Sequence, residues 1–371
     1  MSTAAAVMIV SAALIAGALS HAIARFVVWR KIFPDRPNER SNHRRTTPRA
    51  GGFAIFGGFF AAMVLYAAFF AQNGVPNLYA PLIGLALGAF AFGAADDAHA
   101  LGARFKLAAQ IVIAVGFVAV FGAVERVPAP FVGDIDLGLA AAPLTVFWIV
   151  AFMNAFNFMD GINGIASSCA LFVLCAIAVA AAGGGAAVWA APAAFLACAL
   201  FGYLPLNFPG GRLFMGDGGS QSVGFLIAAF AALTASGSGG PVTPLFTPVA
   251  FLPFLFDATF TLAHRIRRKR NIFEAHKEHL YQLLVRMGRT HEQVTTLYLT
   301  LTVISTTVAI VANAMDPRLQ FAAVALLIGL YLPLALAIYR RAADLGLFAE
   351  PHRRVSEPPV ERIRPLPAAA E

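Results

Sequence analysis

The stretch NAFNFMDGING, Asn154–Gly164, stands at the end of an apolar run that carries no charge from residue 140 to residue 156. A helix needs about 20 apolar residues to cross the hydrocarbon core of a bilayer, and this run approaches that length. Amides and carboxylates are costly against lipid. Three Asn side chains and Asp160, with Gly161 and Gly164 between them, therefore mark a place where a membrane span ends on something polar.

The composition agrees with that reading. Of the 371 residues, 59% are hydrophobic and 12% charged, against roughly half and a quarter in soluble domains. Eleven windows suit spanning helices, near residues 4–28, 51–71, 79–95, 106–124, 140–156, 164–182, 187–205, 220–236, 244–263, 294–313 and 319–339. Residues 125–143, with Pro128, Pro130 and Pro143, and residues 220–236 are ambiguous, so ten is the alternative count. The first window has no basic residue ahead of its apolar core and is too long for a signal-peptide core, so it is read as a span. Cys169, Cys175 and Cys198 fall within spans without paired spacing, which offers neither a disulfide framework nor a thiolate metal site. The expected fold class is an all-α polytopic integral membrane protein of about eleven transmembrane helices. Residues 1–341 form a single transmembrane domain with its polar loops on one side. The tail, 342–371, mixes Arg, Glu and Pro with few large apolar residues and is expected to be disordered.

A net charge of +8 raises nucleic acid as a partner, but its distribution argues otherwise. With the N-terminus outside, the segments 29–50, 96–105, 157–163, 206–219, 264–293 and the tail from 340 face the cytoplasm. Those segments and their membrane edges hold nearly all Lys and Arg, leaving Arg126 and Arg318 outside. This is a positive-inside pattern that predicts an outer N-terminus and an inner C-terminus. The basic patches are read as topology determinants and anionic-lipid contacts, with no nucleic-acid partner.

Each acidic residue near a span then needs a reason. In FGAADDAHALGARFKLAAQ, Asp96 and Asp97 repel one another and should face a cavity or a cation, unless they are merely solvated at a helix end. Lys106 is either a ligand or a snorkelling residue. In NFPGGRLFMGDGGSQSVGF, Gly216, Gly218 and Gly219 surround Asp217, and Ser220 opens a span. A glycine-rich helix start exposes N–H groups to phosphate, and Asp217 there suits a divalent cation; simple capping by Asp217 and Ser220 is the alternative. In the opening stretch Asn154 and Asn157 share a helical face. An Asn oxygen is a hard neutral ligand, while interhelical hydrogen bonding is the other common use of Asn in membranes. In RIRRKRNIFEAHKEHLYQLLVRMG, His276, His279, Tyr281 and Gln282 stand beside a basic run ending in Arg270. HKEH lacks the HExxH arrangement of a helical zinc protease, and imidazoles among guanidiniums suit a phosphate-rich substrate. Arg267–Arg270 also serve as a topology anchor. In the charge-derived topology all these clusters meet at the inner face, together with the basic SNHRRTTPRAGG segment, and suit metal-assisted phosphoryl transfer.

Five ordered motifs over residues 43–284, TPRAGG, DDAHALGARFKL, NAFNFMDGINGIA, GDGGSQSVGF and AHKEHLYQLL, resemble the polyprenyl-phosphate N-acetylhexosamine-1-phosphate transferases, the WecA and MraY type of glycosyltransferase. The resemblance implies transfer of an N-acetylhexosamine 1-phosphate from a UDP-sugar donor to undecaprenyl phosphate with Mg2+, for which Mn2+ can substitute. It implies a multi-pass protein of the bacterial inner membrane, with the active site facing the cytoplasm and a homodimer as an admissible assembly. Carried over by position, it makes Asn157 and Asp217 metal ligands, and it places Asp96 and Asp97 near the attacking lipid phosphate. Lys106 matches the family lysine, and His279, with His276 nearby, the histidine motif on the nucleotide diphosphate. Arg44 or Arg45 falls near the family's basic position. Asn154, Asp160, Gly218, Ser220 and Arg270 complete the expected substrate contacts, with Asn154 open to a structural use. Many family members read DGxDG where Asn163 stands here, and the histidine motif is HxxHxYQ rather than consecutive histidines. Both departures point away from the pentapeptide transferase branch and toward enzymes that prime O-antigen or other exopolysaccharide synthesis. An Asp-rich prenyltransferase would need a second Asp-rich motif, and a secondary transporter would cluster its polar residues at the midplane between repeated halves; neither feature is present.

Overall fold

Backbone polar groups inside a bilayer have no water to bond, and helices satisfy them internally. A computed structural model of the chain describes residues 3–35, 46–71, 78–99, 101–183, 186–235, 242–271 and 276–348. Its helices are α1 (Thr3–Arg30), α2 (Gly51–Ala71), α3 (Tyr79–His99), α4 (Ala103–Phe121), α5 (Ala141–Met159), α6 (Ile165–Ala182), α7 (Ala190–Asn207), α8 (Gly216–Ala235), α9 (Phe246–Ala250), α10 (Leu252–Arg267), α11 (Leu280–Arg286), α12 (His291–Asn313) and α13 (Gln320–Asp344). Two short antiparallel pairs complete it: β1 (Pro34–Asp35) with β2 (Thr47–Pro48), and β3 (Arg126–Ala129) with β4 (Gly133–Asp136), Arg126 opposite Asp136.

Among the described residues, ten helices are long and apolar enough to cross a membrane. The expected span near 244–263 is present but broken into α9 and α10. Pro253 at the start of α10 cannot donate to the carbonyl four residues back, so the ladder is interrupted there. The broken segment still joins the two ends of the bundle. At one end the Thr243 N–H donates to Asn313 and its hydroxyl to Gln320, where α12 stops and α13 begins. At the other, Arg270 donates to the Phe348 carbonyl beyond the end of α13.

The two ambiguous stretches now separate. Residues 125–143 form the β3–β4 hairpin, a single 3-10 turn at Gly138–Ala140 and the start of α5, so no span crosses there. Residues 220–235 belong to α8, which starts at Gly216 and is the central post of the bundle. Of its most apolar window 94% is buried in protein, against 17% for α1, which is why α8 tolerates Gln221 and Ser222 where a lipid-facing helix would not. Gln221 accepts a hydrogen bond from Gln110 of α4, and Gln110 accepts one from Asn154 of α5.

The site-bearing end of α8 is wedged between α2 and α3 by missing side chains. A Cβ on Gly93 would lie 2.4 Å from the Asp217 carbonyl oxygen, and one on Gly52 2.4 Å from the Gly219 nitrogen. The N–H groups of Gly51 and Gly52 donate to the carbonyls of Phe214 and Met215, tying the start of α2 to the approach to α8. At the far end of the chain, residues 342–348, expected in the disordered tail, belong to the folded unit: α13 runs to Asp344 and the Phe348 side chain is buried. The remainder of that tail lies outside the described residues.

The Gly93 contact is backbone against backbone, which cannot give way. Gly93→Leu is expected to lower the thermal midpoint in detergent by an amount equivalent to about 1–3 kcal/mol or more, or to abolish the monodisperse peak. Gly84→Ala on the same helix, where a Cβ meets nothing within 4 Å, should stay within about 0.5 kcal/mol of wild type. Thermal-shift size-exclusion chromatography of the two variants reads the difference.

Candidate functional site

The N-terminus of α8 would ordinarily present unpaired N–H groups. Here the Asp97 carboxylate from α3 takes two of them, Asp217 N–H at 2.9 Å and Gly218 N–H at 3.0 Å. The chain reaches this geometry through Gly216, whose φ of +75° strains any L side chain and whose Cβ would meet Asp97 Oδ2 at 2.7 Å. The Gly218 N–H, expected to face phosphate, is thus committed to a carboxylate, because Asp97 meets the same positive helix end that an anion would.

Three carboxylates and two cations interlock around that helix start. Arg49 spans Asp97 through Nε at 3.1 Å and Asp217 through a terminal nitrogen at 2.8 Å. Lys106 pairs closely with Asp96 and lies 3.3 Å from Asp217 Oδ2. Asp96 also accepts from the Leu101 N–H at 2.6 Å, fixing the α3–α4 turn that delivers Lys106. From α5, the Asn157 amide donates to the Ser220 hydroxyl at 2.7 Å and reaches Asp217 Oδ1 at 3.4 Å. Asp96, Asp97, Lys106, Asn157, Asp217 and Ser220, separated by up to 124 positions in the sequence, therefore form one connected cluster.

Arg49 is the residue that the sequence reading missed, although it sits in the TPRAGG motif. Arg44 and Arg45, the basic positions expected instead, lie outside the described residues. A cleft of about 210 Å³ reaches Arg49 and Asp97 past Phe33, Phe53 and Phe90, so the pair has an opening with an apolar wall.

Just beyond α5, Asp160 ends the helix and stands within electrostatic reach of Arg49, Asp217 and Asp97. Burial pushes its carboxyl well above the usual carboxylate range, against the pull of the Arg49 guanidinium. Next to it, Gly161 leaves room for Tyr281: a Cβ there would lie 1.9 Å from the tyrosine oxygen. The Tyr281 hydroxyl donates to the Phe158 carbonyl at 2.9 Å, docking α11 on the end of α5. His279, the N-cap of α11, consequently lies against Phe158, the neighbour of Asn157, with ring centroids 5.9 Å apart. Its Nδ1 lies 3.2 Å from Asp257 Oδ1. Asp257 was also missed, although it is the one acidic residue in the window 244–263 and so carried a signal.

His276 lies beside His279, the two rings tilted with centroids 5.0 Å apart. Its Nδ1 accepts from the Glu278 N–H at 3.4 Å, which requires that nitrogen unprotonated. Burial, with help from His279 and Arg265, holds its pKa down at about 4.

Two expected contacts take other roles. Asn154 is a helical turn deeper than Asn157, and its NH2 is used by Gln110 at 2.7 Å and the Val150 carbonyl at 2.8 Å, the interhelical use of Asn. Arg270, expected on substrate, joins Arg265 on the buried Glu278 and donates to the Phe348 carbonyl at 2.8 Å. One terminal nitrogen thereby braces the loop on Glu278 and the other ties it to the segment just after α13. Asn163, where many family members carry Asp, turns toward the Pro209 carbonyl at 3.3 Å.

A hard divalent cation takes carboxylate and amide oxygens, and Asp217 beside Asn157 supplies both types. The Asn157 amide presents its NH2 toward Asp217 and Ser220, and a half-turn about its last side-chain bond offers the oxygen instead. The donor set therefore fits Mg2+, with Lys106 and Arg49 holding part of the charge balance that such an ion would share.

A bundle of apolar helices that gathers carboxylates, amides, imidazoles and guanidiniums at one end defines a multispanning membrane protein with a charged polar site. Residues 79–235 match glycosyl transferase family 4. The chain is 32% identical over 264 residues to a Bacillus subtilis (strain 168) protein named "Probable undecaprenyl-phosphate N-acetylglucosaminyl 1-phosphate transferase", covering 69% of this chain and 71% of the relative. It is 34% identical over 291 residues to "Decaprenyl-phosphate N-acetylglucosaminephosphotransferase" of Mycobacterium tuberculosis (strain CDC 1551 / Oshkosh), covering 70% of each. To "Undecaprenyl-phosphate alpha-N-acetylglucosaminyl 1-phosphate transferase" of Escherichia coli (strain K12) it is 28% identical over 282 residues, covering 73% of this chain and 74% of the relative. The chain belongs to glycosyl transferase family 4.

The depressed His276 makes a stability prediction. The unfolded chain binds a proton near the ordinary pKa of about 6.5, whereas the folded protein resists until about 4. The contribution is fully present above the unfolded value and is lost as pH falls toward the folded one. His276→Gln should therefore flatten the fall in thermal midpoint between those two pH values while leaving the midpoint slope above pH 7 unchanged. Differential scanning fluorimetry across that range in detergent measures it.

Proposed function

We propose that this chain transfers an N-acetylhexosamine 1-phosphate, with N-acetylglucosamine the first candidate sugar, from a UDP-sugar to a polyprenyl phosphate. The products are polyprenyl-pyrophosphoryl sugar and UMP. The observation that carries the reading is the cluster at the start of α8, where Arg49 and Lys106 are held between Asp96, Asp97 and Asp217. The names of the family relatives supply the substrate class.

Both substrates are anionic, so their approach needs fixed positive charge in a site of low dielectric. Arg49 is half-exposed, its guanidinium reaching the carboxylates while its remaining surface faces the cleft. Lys106 stands on the other side of Asp217. The reaction places an oxygen of the lipid phosphate on the phosphorus that bears the sugar. The bond from that phosphorus to the bridging oxygen breaks, and its electron pair leaves on UMP. A lipid phosphate is ionised at neutral pH, so little is asked of a general base. Asp96 and Asp97 then act chiefly by holding Lys106 and the α8 start in place. Asp217 and the oxygen of Asn157 would hold Mg2+, which supplies charge neutralisation at the diphosphate. His279, with Nδ1 against Asp257, has its other ring nitrogen for the donor diphosphate.

The basic residues of the described chain crowd the same end of the bundle as this cluster, and Arg126 and Arg318 lie at the other. By the positive-inside rule that end faces the cytoplasm, and the bacterial sources of the relatives support the inner membrane as its location.

Purified protein in detergent, given undecaprenyl phosphate, Mg2+ and UDP-N-acetylglucosamine, should release UMP and form a pyrophosphoryl lipid. Asp217→Asn and Arg49→Ala should each cut the rate by at least about 100-fold while keeping a monodisperse peak. EDTA should abolish the activity and Mg2+ or Mn2+ restore it. Absence of UMP release from a panel of UDP-sugars overturns the proposal.

A further inference from the structure

The broken ninth crossing carries a carboxylate with no accessible surface. Asp257 of α10 is 0% exposed. Its Oδ1 accepts from the Leu280 N–H at 2.9 Å and the Thr261 hydroxyl at 3.1 Å, and lies 3.2 Å from His279 Nδ1. Its Oδ2 accepts from the Tyr298 hydroxyl at 2.6 Å and the Tyr281 N–H at 3.2 Å. A buried carboxylate persists only when it is fully hydrogen-bonded. Three of these five partners belong to His279, Leu280 and Tyr281, the first residues of α11 and its cap.

The arrangement does two things at once. It holds the free N–H groups at the start of α11, so the short helix is anchored from inside the bundle rather than by its own length. It also places an acceptor-only group on His279 Nδ1, which fixes the proton there. Nε2 is then the ring nitrogen left over. The ring cannot turn over without losing the Asp257 contact. The same anchored helix start carries Tyr281, whose hydroxyl reaches the Phe158 carbonyl, so His279 is held in register with the α5 end that bears Asn157.

We infer that Asp257 is a positioning residue of the transfer reaction: from within the bundle it sets the tautomer and orientation of His279 and so presents Nε2 to the diphosphate of the sugar donor. The inference rests on the function proposed above. It assigns no substrate contact to Asp257 itself.

Steady-state kinetics of the full chain in detergent test it, with UDP-N-acetylglucosamine and undecaprenyl phosphate each varied at saturating levels of the other. The variants are Asp257→Asn, His279→Gln and the two combined. Asp257→Asn keeps the volume but places an amide where a pure acceptor stood. It is expected to lower kcat/KM for the donor by about 10- to 100-fold, the usual effect of losing the partner that orients a functional imidazole. The acceptor KM should move less than about threefold, within the scatter of independent sites. In the His279→Gln background the same substitution should change donor kcat/KM by less than about threefold, because the ring it acts through is gone. Equal losses in both backgrounds, or losses falling alike on donor and acceptor, overturn the inference and make Asp257 a residue of the fold alone. Should Asp257→Asn give no folded protein, Asp257→Glu, which keeps the charge and moves the carboxylate, runs the same cycle under the same criteria. A wild-type protein that releases no UMP from any donor overturns the proposed function and this inference with it, an outcome distinct from an active wild type with an additive cycle.

Discussion

The hydrogen bonds from the Asp217 and Gly218 N–H groups to the Asp97 carboxylate are the contact on which the rest of the site depends. A helix buried on all sides cannot leave its first N–H groups unpaired, and α8 is such a helix. Asp97 meets that need from α3, and in doing so fixes where α8 begins relative to its neighbour. Once that is set, Asp217 projects between Arg49 and Lys106, and Ser220 comes under the Asn157 amide. The glycines of α2, α3 and α8 follow from the same demand, because a carboxylate on one helix can cap another only where the backbones nearly touch.

Charge is the second organising constraint. Asp96, Asp97 and Asp217 would repel strongly at this separation in a poorly solvated place. Arg49 and Lys106 stand between them, so each carboxylate touches a cation and each cation touches two carboxylates. Three negative groups with two positive ones leave the cluster acidic, which suits a divalent cation, while the two fixed cations suit phosphate. Burial pushes the nearby Asp160 carboxyl well above its ordinary range. The histidine side of the site is assembled separately, on α11, and reaches the carboxylate side through Tyr281 lying in the space that Gly161 leaves open.

Much of this was legible in the order of residues, and the exceptions share a cause. Asn154 and Asn157 are the same residue type on one helical face, yet one turn of depth separates an amide absorbed by Gln110 from one beside Asp217. Periodicity reports the face and not the depth at which a neighbour offers a partner. Arg270 belongs to a basic run like those that bind phosphate, but Glu278 and the Phe348 carbonyl claim its guanidinium. Arg49 stands in TPRAGG a few residues after Arg44 and Arg45, and a run of basic residues does not say which one folds inward. The break between α9 and α10 was announced by Pro253, while the apolar run around it still read as one span.

The sequence by itself determined the class of the molecule. Apolar windows of bilayer length, scarce charge, basic residues gathered in alternate loops and polar motifs at span ends are one-dimensional quantities, because the bilayer imposes them on each segment separately. Only the tertiary structure decided which polar groups meet. Asp97 caps a helix that begins 119 positions later in the chain, and Asp257 holds a histidine beyond the end of its own helix. Hydrogen bonds and ion pairs act over about 3 Å, a distance set by how helices pack against one another and not by the spacing of residues along the chain.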